Sequence, residues 1–414
     1  MRQHIAGIDI GNGYTKGNID GRPIQAFASS VAHVTSVVDI KAEGNAEIEA
    51  VIDDIYNNMY ATFDSPCIKN NMTGRFFGAR GLMSGRSLEQ FDVNSHLSKA
   101  EADLSAILCL GALAGRVLQD YWKEHKALPK DGEVLEHDCI LSLALPINEY
   151  RRFRKVYGSK FMNNAHIVTI HNFVHPVRVK LLFSFVTVLA EGESAHYGIQ
   201  FEGEHLMKAM LEDLKSRGEV LNGISAMDVL AAKNTVGIDI GEGTVNFPVF
   251  RNGKFSQDAS STYPKGHGHV LMRALERLQG DGYPFQSRKA LSEYLNTEPS
   301  PLAKARYDAV KRVCDEEEIA FADDICAEFS SVMNKTNGFT EVVYVYGGGA
   351  TPLKFVFHQK IIDTMKGFGM AAPVLYLPSH YSRKLNGHGL YCIAKQQAEK
   401  ILRSQPDVPA KGKK

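Results

Sequence analysis

Gly7-Ile8-Asp9-Ile10-Gly11 and Gly237-Ile238-Asp239-Ile240-Gly241 are two copies of one pentapeptide, and a second glycine follows each copy two residues later. A short apolar run that ends in a carboxylate and then Gly-x-Gly is typical of a strand that enters a tight turn. The bare backbone of such a turn can approach a phosphate closely. Two such turns in one chain imply a phosphate that is held from two sides.

The duplication extends beyond the pentapeptide. Asp20-Gly21 follows the first copy and Asn252-Gly253 follows the second, and both dipeptides favour the type I′ turns of β-hairpins. Residues 14–19 and 245–250 alternate between apolar and polar side chains, which predicts half-buried antiparallel strands. Each copy is therefore predicted to fold as strand, phosphate turn, strand, hairpin turn and strand, and the chain as two related halves.

Composition limits the classes of protein that fit. The 414 residues exceed one typical core, so two domains are expected. The chain carries 47 basic and 47 acidic residues without a long run of like charge, which argues against direct nucleic-acid binding. Its six cysteines include no Cys-x-x-Cys pair, which argues against a zinc site or a disulfide framework and fits a reducing compartment.

Residues 1–5 lack the apolar core of a signal peptide, and the longest apolar stretch, residues 181–190, is too short to span a bilayer. We expect a cytoplasmic protein with no membrane partner.

The order of apolar runs predicts the domains. Residues 139–145 and 177–190 are predicted central strands, and Glu191 stands at the carboxyl end of the second, where ligands bind in open α/β sheets. We expect domain I at 1–232, with an inserted subdomain at about 28–95, a helix at about 99–125 and a completing C-terminal helix at 386–403. We expect domain II at 233–385, with a helical subdomain at about 265–335. Residues 404–414 are predicted to be a disordered tail.

A third glycine-rich segment follows another apolar strand. Residues 342–346 lead directly into Gly347, Gly348 and Gly349, and a helix start comes next. A strand that feeds a triple glycine and a helix is a further place where backbone can approach a ligand. A plain strand-to-helix turn is the alternative.

Together these segments resemble the five signatures of the actin-like ATPase superfamily, over nearly the whole chain. Residues 7–16 are similar to its first phosphate loop and 236–250 to its second, 141–150 and 386–394 to its connecting segments, and 343–354 to its adenosine loop. The resemblance implies an α/β fold, the actin-like (ribonuclease H-like) duplicated fold, with two domains around a nucleotide cleft. It implies Mg²⁺ and ATP as ligands, with GTP left open.

Within the superfamily, the first phosphate loop and the Leu-Pro-Ile-Asn-Glu-Tyr connector look like those of the bacterial ParM/StbA plasmid-segregation actins. That narrower resemblance implies a filament of this chain and a DNA-binding adaptor of the ParR type. Two positions depart from the pattern. Tyr14 stands where those proteins often have a small or polar residue, and Asn246 stands where many members have a second acidic residue.

The resemblance assigns roles to the carboxylates and to one lysine. Asp9 and Asp239 would hold a hydrated Mg²⁺ beside the triphosphate, and Lys16 would place a positive charge on the phosphates. Glu191 would orient the attacking water, with Glu193 as the competitor. The alternatives are aspartates that cap their turns, a surface lysine and a solvated loop glutamate. Backbone N–H groups that would contact phosphate come from Gly11, Asn12, Gly13, Tyr14, Thr15, Gly241, Glu242, Gly243 and Thr244.

Other charged side chains are less informative. Lys304 and Arg306 are candidate neighbours of the base. His171 and His175, and His267 and His269, have spacings that invite a metal hypothesis, but the first pair lies in a strand-rich segment with no third ligand nearby. We interpret these histidines as structural or surface residues.

Three functions remain open from the sequence. The first is an actin-like ATPase that assembles into filaments and segregates plasmid DNA. The second is a small-molecule kinase of the same fold, such as a sugar kinase, which would need an aspartate base and a polar substrate pocket. The third is a chaperone-type ATPase, which is disfavoured because no peptide-binding domain follows the second half.

Overall fold

The structure is a computed structural model that describes residues 2–36, 38, 41–69, 71, 73–91, 98–219, 221, 223–382 and 384–404. The chain divides into two compact units. The first unit comprises Met1–Leu145, Glu149–Ala190 and Asn386–Lys414, and the second comprises Pro146–Asn148 and Glu191–Leu385. The predicted disordered tail lies almost entirely outside the described residues.

The elements up to residue 190 are, in chain order, β1 (Arg2–Ile10), β2 (Tyr14–Ile19), β3 (Arg22–Pro23), β4 (Phe27–Ala28), β5 (Ser30–Val34), α1 (Asn45–Asp53), α2 (Ile55–Asn58), β6 (Tyr60–Asp64), β7 (Gly74–Phe77), α3 (Gly78–Met83), β8 (Leu88–Gln90), α4 (Asp103–His125), β9 (Val134–Leu145), α5 (Ile147–Phe161), β10 (His166–Ile170) and β11 (Val177–Ala190). The remaining elements are α6 (Glu193–Ser216), α7 (Ala226–Leu230), β12 (Thr235–Ile240), β13 (Val245–Phe247), β14 (Val249–Arg251), β15 (Lys254–Phe255), β16 (Ser261–Tyr263), α8 (His267–Gly280), α9 (Arg288–Leu295), α10 (Lys304–Thr336), β17 (Val342–Tyr346), α11 (Ala350–Gly367), β18 (Val374–Tyr376), α12 (Ser379–Ser382) and α13 (Leu385–Ser404).

The first unit is built on one mixed sheet in the order β3-β2-β1-β9-β11-β10-β6-β7-β5-β8, with β4 paired to β2. Strand β1 is antiparallel to β2 and parallel to β9, and β9 is parallel to β11. The segment predicted as an inserted subdomain, about 28–95, supplies β5 to β8 and α1 to α3. Its strands continue the main sheet, because β6 pairs with β10.

The second unit repeats the central part of this arrangement. Strand β12 pairs antiparallel with β13 and β14 on one side and parallel with β17 on the other, and β17 is parallel to β18. Pro248, which has no N–H to donate, separates β13 from β14, so these two short strands take the place of the unbroken β2. The same order of strands in both units confirms the predicted α/β duplicated fold.

The sheet of the second unit is buried on both faces, and alternate residues of its central strands point into two separate cores. One face places Val236, Ile238 and Val343 in a core with α10 and α11. The other face places Val342, Tyr344 and Tyr346 in a core with α6 and α7. Successive residues of a strand point to opposite faces, which explains why residues 342–346 read as a continuous apolar run.

The boundary between the units differs from the expected position at residue 232. The first unit ends at Ala190, and α6 belongs to the second unit because Ala195, Ile199 and Leu206 pack against β17 and β18. In return, α13 belongs almost wholly to the first unit, where Ala394 and Ala398 pack against Ile140. The chain thus sends α6, the helix after β11, to the second sheet and α13, the last helix, to the first.

One helix limit, the start of α4, also differs from expectation, whereas α13 lies within one residue of the expected 386–403. Helix α4 begins at Asp103 rather than near Lys99, because Ala100 N–H bonds to the Ser98 hydroxyl at 3.0 Å and residues 98–102 form a separate turn. Helix α13 begins at Leu385, so the glycines of the 386–389 segment lie inside the helix. In the described part of the chain, no helix is long and apolar enough to cross a membrane.

Candidate functional site

The first glycine turn joins β1 to β2 and is closed by a hydrogen bond from Gly11 N–H to the Tyr14 carbonyl, at 3.1 Å. The strand register places Asp9 opposite Lys16 and Ile10 opposite Thr15. Residues directly opposite in an antiparallel pair point to the same face. Asp9 and Lys16, which the sequence proposed for one phosphate site, therefore share one face of this hairpin, and Asp9 is 8% exposed.

A lysine that we did not predict lies at the end of β1. The Lys99 ammonium donates a hydrogen bond to the Ile10 carbonyl at 2.8 Å, and Lys99 is only 6% exposed. Its own N–H donates to the Glu149 carboxylate at 2.9 Å. From the sequence, this region was predicted only as the start of a helix at about 99–125, and nothing indicated a contact 89 residues away in the chain.

The other residues of the first turn divide into buried and exposed groups. The Thr15 hydroxyl is buried and bonds to the Ser29 hydroxyl at 2.9 Å, while Ser29 N–H donates to the Gly13 carbonyl at 3.0 Å. Tyr14 is 52% exposed. A trans peptide directs its C=O and N–H in opposite directions. With the Gly13 carbonyl turned toward Ser29, the N–H of Tyr14 points away from it.

The first glycine of each pentapeptide is required by packing. A Cβ added at Gly7 would lie 2.0 Å from the backbone nitrogen of Tyr391 in α13. A Cβ added at Gly237 would lie 2.5 Å from the Tyr346 hydroxyl oxygen. These glycines sit at the middle of β1 and β12, whereas Gly11 and Gly241 begin the turns. The repeat therefore combines a packing glycine with a turn glycine.

The second turn joins β12 to β13 in the same way. Gly241 N–H donates to the Thr244 carbonyl at 2.9 Å, and Asp239 pairs with Asn246, so Asn246 holds the place that Lys16 holds in the first unit. Asp239 is buried, with 6% of its surface exposed. The two turns are thus equivalent in backbone and in their carboxylate, and they differ in the residue opposite that carboxylate.

The N-terminus of α8 orients the peptides of the second turn. His267 N–H donates to the Gly241 carbonyl and Gly268 N–H to the Glu242 carbonyl, each at 2.9 Å. Because these carbonyls face α8, the N–H groups of Glu242 and Gly243 point away from it. The Glu242 carboxylate pairs with the Arg288 guanidinium at 3.1 Å. The backbone N–H of Glu242 is therefore oriented as expected for a phosphate donor, while its side chain is paired with Arg288.

Glu191 lies within the second unit, next to Asn246. The Asn246 amide Nδ2 donates to the Glu191 carboxylate at 3.1 Å, and its Oδ1 accepts from the Thr262 hydroxyl at 2.8 Å. Glu193 is the first residue of α6 and is 8% exposed. The assignment of Glu191 rather than Glu193 as the catalytic carboxylate stays a prediction. From the sequence, Asn246 was identified only as an amide at a position where many actin-like ATPases have a second acidic residue.

The triple glycine packs against the end of β12. Gly347 has φ +96°, and a Cβ there would meet the Ile240 carbonyl oxygen at 2.4 Å and Asp239 Oδ1 at 2.7 Å. Gly349 N–H donates to the Ile240 carbonyl at 2.9 Å. A Cβ on Gly348, in contrast, would meet no atom within 4 Å. Gly347 and Gly349 are therefore fixed by contacts around Asp239, and Gly348 faces open space.

A buried phenol adjoins this region. Tyr346 ends β17 opposite Asp239, and its hydroxyl bonds to the Gly192 carbonyl at 3.5 Å. Burial, and then the negative charge of Asp239, hold the pKa of the Tyr346 phenol well above its usual range. Tyr346 is therefore neutral and acts as a packing residue of the β12–β17 pair.

The candidate neighbours of the base lie at and near the start of α10. The Lys304 ammonium pairs with Asp308 at 2.7 Å, and the Arg306 guanidinium lies 5.8 Å from the centre of the Tyr283 ring. Both cations thus have partners within the helical region of the second unit. Their proposed relation to a base stays a prediction.

The histidine pairs have structural contacts. His171 Nε2 bonds to the Thr62 hydroxyl at 2.8 Å, and His175 lies 3.7 Å from the Asp131 carboxylate. His269 Nδ1 accepts from Gly266 N–H at the start of α8. His267 lies 3.4 Å from the Glu318 carboxylate. Among the described residues, one group of side chains has metal-ligand spacing, and none of these four histidines belongs to it.

That group comprises His4, Asp20 and Asp120 in the first unit, with ligand atoms within 4.8 Å of one another. The three side chains have partners of their own. His4 Nδ1 bonds to Asp20 at 2.5 Å, and the Arg22 guanidinium donates to Asp120 at 2.7 Å. A guanidinium already neutralises the Asp120 carboxylate, so this cluster is a partly buried polar network that links β1, the turn at Asp20 and α4.

Comparisons with known proteins were made on sequence and on structure. No protein-family model and no curated protein matches the chain. Solved structures match over nearly all of it. Apo pSK41 ParM is 13% identical with a TM-score of 0.58, covering 97% of this chain and 100% of that one. The archaeal actin homolog Ta0583 (native data) is 13% identical with a TM-score of 0.58, covering 96% and 100%. Bacillus thuringiensis ParM with ATP gives the same identity, TM-score and coverage as Ta0583. The predicted resemblance is thereby confirmed at the level of the fold.

Proposed function

Because this chain has an actin-like fold of the ParM type, we propose that it binds and hydrolyses ATP with Mg²⁺ and couples hydrolysis to the assembly of filaments. One observation carries the proposal. Both units end their central strand in a buried aspartate followed by the same glycine turn, and N–H groups of the second turn point away from the helix packed against it. Such N–H groups are suited to bind phosphate.

The side chains fit a magnesium nucleotide. Asp9 and Asp239 are hard oxygen ligands, and Mg²⁺ prefers such ligands while keeping several waters. We propose that Asp9 and Asp239 would hold Mg²⁺ through its waters, and that the ion would neutralise charge on the phosphates of the nucleotide. Lys16, on the same hairpin face as Asp9, would add positive charge to the phosphates. Gly348, which faces open space, would let the backbone approach the adenosine.

Glu191 is proposed to orient the attacking water. It is held by an amide donor on the strand next to Asp239, and phosphoryl transfer to water requires mainly positioning of the water and stabilisation of charge. The adenine nucleotide is favoured because Bacillus thuringiensis ParM has been solved with ATP. GTP remains the alternative.

The filament, the adaptor and plasmid segregation rest on the resemblance of the phosphate loops and the connector to those of ParM. We propose that the partners are further copies of this chain and a DNA-binding adaptor of the ParR type. Segregation predicts that a plasmid carrying the gene is lost faster from dividing cells when the gene is deleted. Loss at an unchanged rate would contradict that role and leave the ATPase intact.

The proposal is tested by mixing the purified protein with Mg²⁺ and ATP or GTP while following light scattering and phosphate release. We expect scattering to rise and then to fall as phosphate is released. Asp9→Ala and Asp239→Ala should each abolish Mg²⁺-dependent nucleotide binding, because the two carboxylates are proposed to act on one ion. Binding of half the nucleotide in either variant would instead indicate two independent sites.

Glu191→Ala is the matched variant for hydrolysis. It should bind nucleotide as the wild type does, release phosphate at least about 100-fold more slowly, and keep scattering high. Phosphate transfer that requires an added sugar would support the kinase alternative. Absence of Mg²⁺-dependent nucleotide binding in the wild type would overturn the proposal altogether.

A further inference from the structure

Three neighbouring strands of the second unit place Asp239, Asn246 and Thr262 in one row. Strand β13 lies between β12 and β16, and its register pairs Asn246 with Asp239 on one side and with Thr262 on the other. Asn246 is 4% exposed. Its amide reaches the Glu191 carboxylate at 3.1 Å and the Thr262 hydroxyl at 2.8 Å.

The chemistry of these partners fixes the direction of each hydrogen bond. An ionised carboxylate can only accept, so the amide nitrogen of Asn246 must face Glu191. The amide oxygen then faces Thr262, whose hydroxyl donates to it. A half-turn of the amide would bring its oxygen against the carboxylate and lose the bond to Glu191, whereas the Thr262 hydroxyl can bond to either amide atom. Glu191 therefore selects the orientation of the amide, and Thr262 anchors the opposite end of its plane.

We infer that Asn246 is a positioning residue for hydrolysis, and that the Thr262 hydroxyl anchors its amide. Asn246 fixes one oxygen of the Glu191 carboxylate and so directs the carboxylate toward the attacking water. The inference rests on the proposed ATPase activity. It also gives a reason for an amide at this position: a carboxylate could not donate to Glu191, and it would repel it.

The two units differ at this position in a way that fits the inference. Lys16 in the first unit and Asn246 in the second are each opposite the aspartate of their turn. Lysine offers only donors on a flexible stem, which suits a phosphate, whereas asparagine offers a donor and an acceptor in one rigid plane. Of the two, only asparagine can accept from the Thr262 hydroxyl and donate to Glu191 at the same time.

The test measures the rate of phosphate release at saturating Mg²⁺–ATP and the Kd for a fluorescent ATP analogue, in the full chain. We expect Asn246→Ala to lower kcat about 10- to 100-fold, because a misplaced catalytic carboxylate loses much of its effect. Asn246→Asp should lower it at least as far. The Kd should stay within about threefold of the wild-type value, since Glu191 is not a binding residue.

Thr262→Val and Thr262→Ser form the matched pair, and they remain informative if substitution of Asn246 impairs folding. Valine removes the hydroxyl at nearly constant volume, so kcat should fall about 5- to 20-fold. Serine keeps the hydroxyl and should restore wild-type turnover. A purely structural role would lower thermal stability and ATP binding together, and serine would not restore kcat selectively.

Combination with Glu191→Ala separates this inference from the proposed function. If Asn246 acts through Glu191, Asn246→Ala should cause no further loss of kcat in the Glu191→Ala background. An equal loss in both backgrounds, or an Asn246→Ala protein with kcat within twofold of wild type, would overturn the inference while the ATPase stands. A wild-type protein that binds no nucleotide would overturn both.

Discussion

Individual glycines of the three glycine-rich segments have different structural roles. The sequence predicted a single role for all of them, which was to let the backbone approach a ligand. Gly7 and Gly237 permit close packing, Gly11 and Gly241 close their turns, and Gly347 adopts a left-handed backbone against Asp239. The spacing of these glycines predicted where the turns lie. It could not show which glycine touches a distant element, because that depends on residues such as Tyr391 that are hundreds of positions away.

Gly347 and Gly348 provide a matched pair of substitutions. Gly347→Ala should lower the free energy of unfolding by about 2–4 kcal/mol, because a Cβ is strained at positive φ and would clash with the end of β12. Gly348→Ala should change it by less than about 0.5 kcal/mol, since that Cβ enters open space. Urea unfolding measures both. If Gly348 lies beside the nucleotide, Gly348→Ala should weaken ATP binding without loss of stability. Equal stabilities of the two variants would contradict the close contact between Gly347 and the end of β12.

Residues that the sequence missed share one property. Lys99, Asn246 and Thr262 act through contacts that a local pattern cannot encode, since Lys99 meets Ile10 across 89 positions and Asn246 meets Glu191 across 55. Asp9 and Asp239, in contrast, were predicted because their chemistry is contained in a short repeated motif. The motif identifies the carboxylates, and tertiary structure selects the groups that orient them.

Secondary-structure elements were predicted better than their packing partners. The strands of both copies follow from apolar alternation, the central strands β9 and β11 from apolar runs, and the hairpins from the Asp-Gly and Asn-Gly turns. The exchange of α6 and α13 between the units was not predicted, because both helices are amphipathic and a sequence does not state which sheet an apolar face will meet. This exchange is why the boundary lies at Ala190.

Docking of α13 on β1 gives a prediction for elements. Gly7→Ala would place a Cβ 2.0 Å from the Tyr391 backbone nitrogen, so the helix must shift, and we expect a loss of about 3 kcal/mol in the free energy of unfolding. Proteolysis under native conditions should then cleave first near α13. Gly280→Ala is the control, since a Cβ there meets no atom within 4 Å. Equal resistance of the two variants to protease would contradict a close backbone contact between β1 and α13.

The molecule as a whole is a duplication whose halves have diverged. Each unit keeps the strand order, the buried aspartate and the closed turn. The residue opposite the aspartate differs, since it is Lys16 in the first unit and Asn246 in the second. The first half thereby offers positive charge, and the second offers an amide that binds Glu191. A repeat found in the sequence predicted the duplication of the fold, and Lys16 and Asn246 are departures from that repeat.

Stability of the whole chain should decrease in mild acid because of partly buried histidines that stay neutral in the folded chain. His196 stacks on Phe250 with ring centres 3.7 Å apart, and burial lowers the pKa of His196 to about 4. Burial, and then the nearby His4, likewise lower the pKa of His137 to about 4. Above pH 6.5 such a histidine is neutral in both the folded and the unfolded chain and contributes nothing to the pH dependence. Between pH 6.5 and 4 only the unfolded chain binds the proton, so the free energy of unfolding falls as the pH falls.

His196→Leu isolates one of these contributions, because leucine is close to histidine in volume and does not titrate. We expect the wild type to lose about 2–3 kcal/mol more than the variant between pH 7 and pH 4, since each pKa unit of difference between the two states is worth about 1.4 kcal/mol. Urea unfolding at a series of pH values measures this difference, and any constant effect of the substitution on packing cancels in it. Parallel curves for the two proteins would show that His196 is protonated in the folded chain as readily as in the unfolded one, and would contradict its burial as a neutral ring.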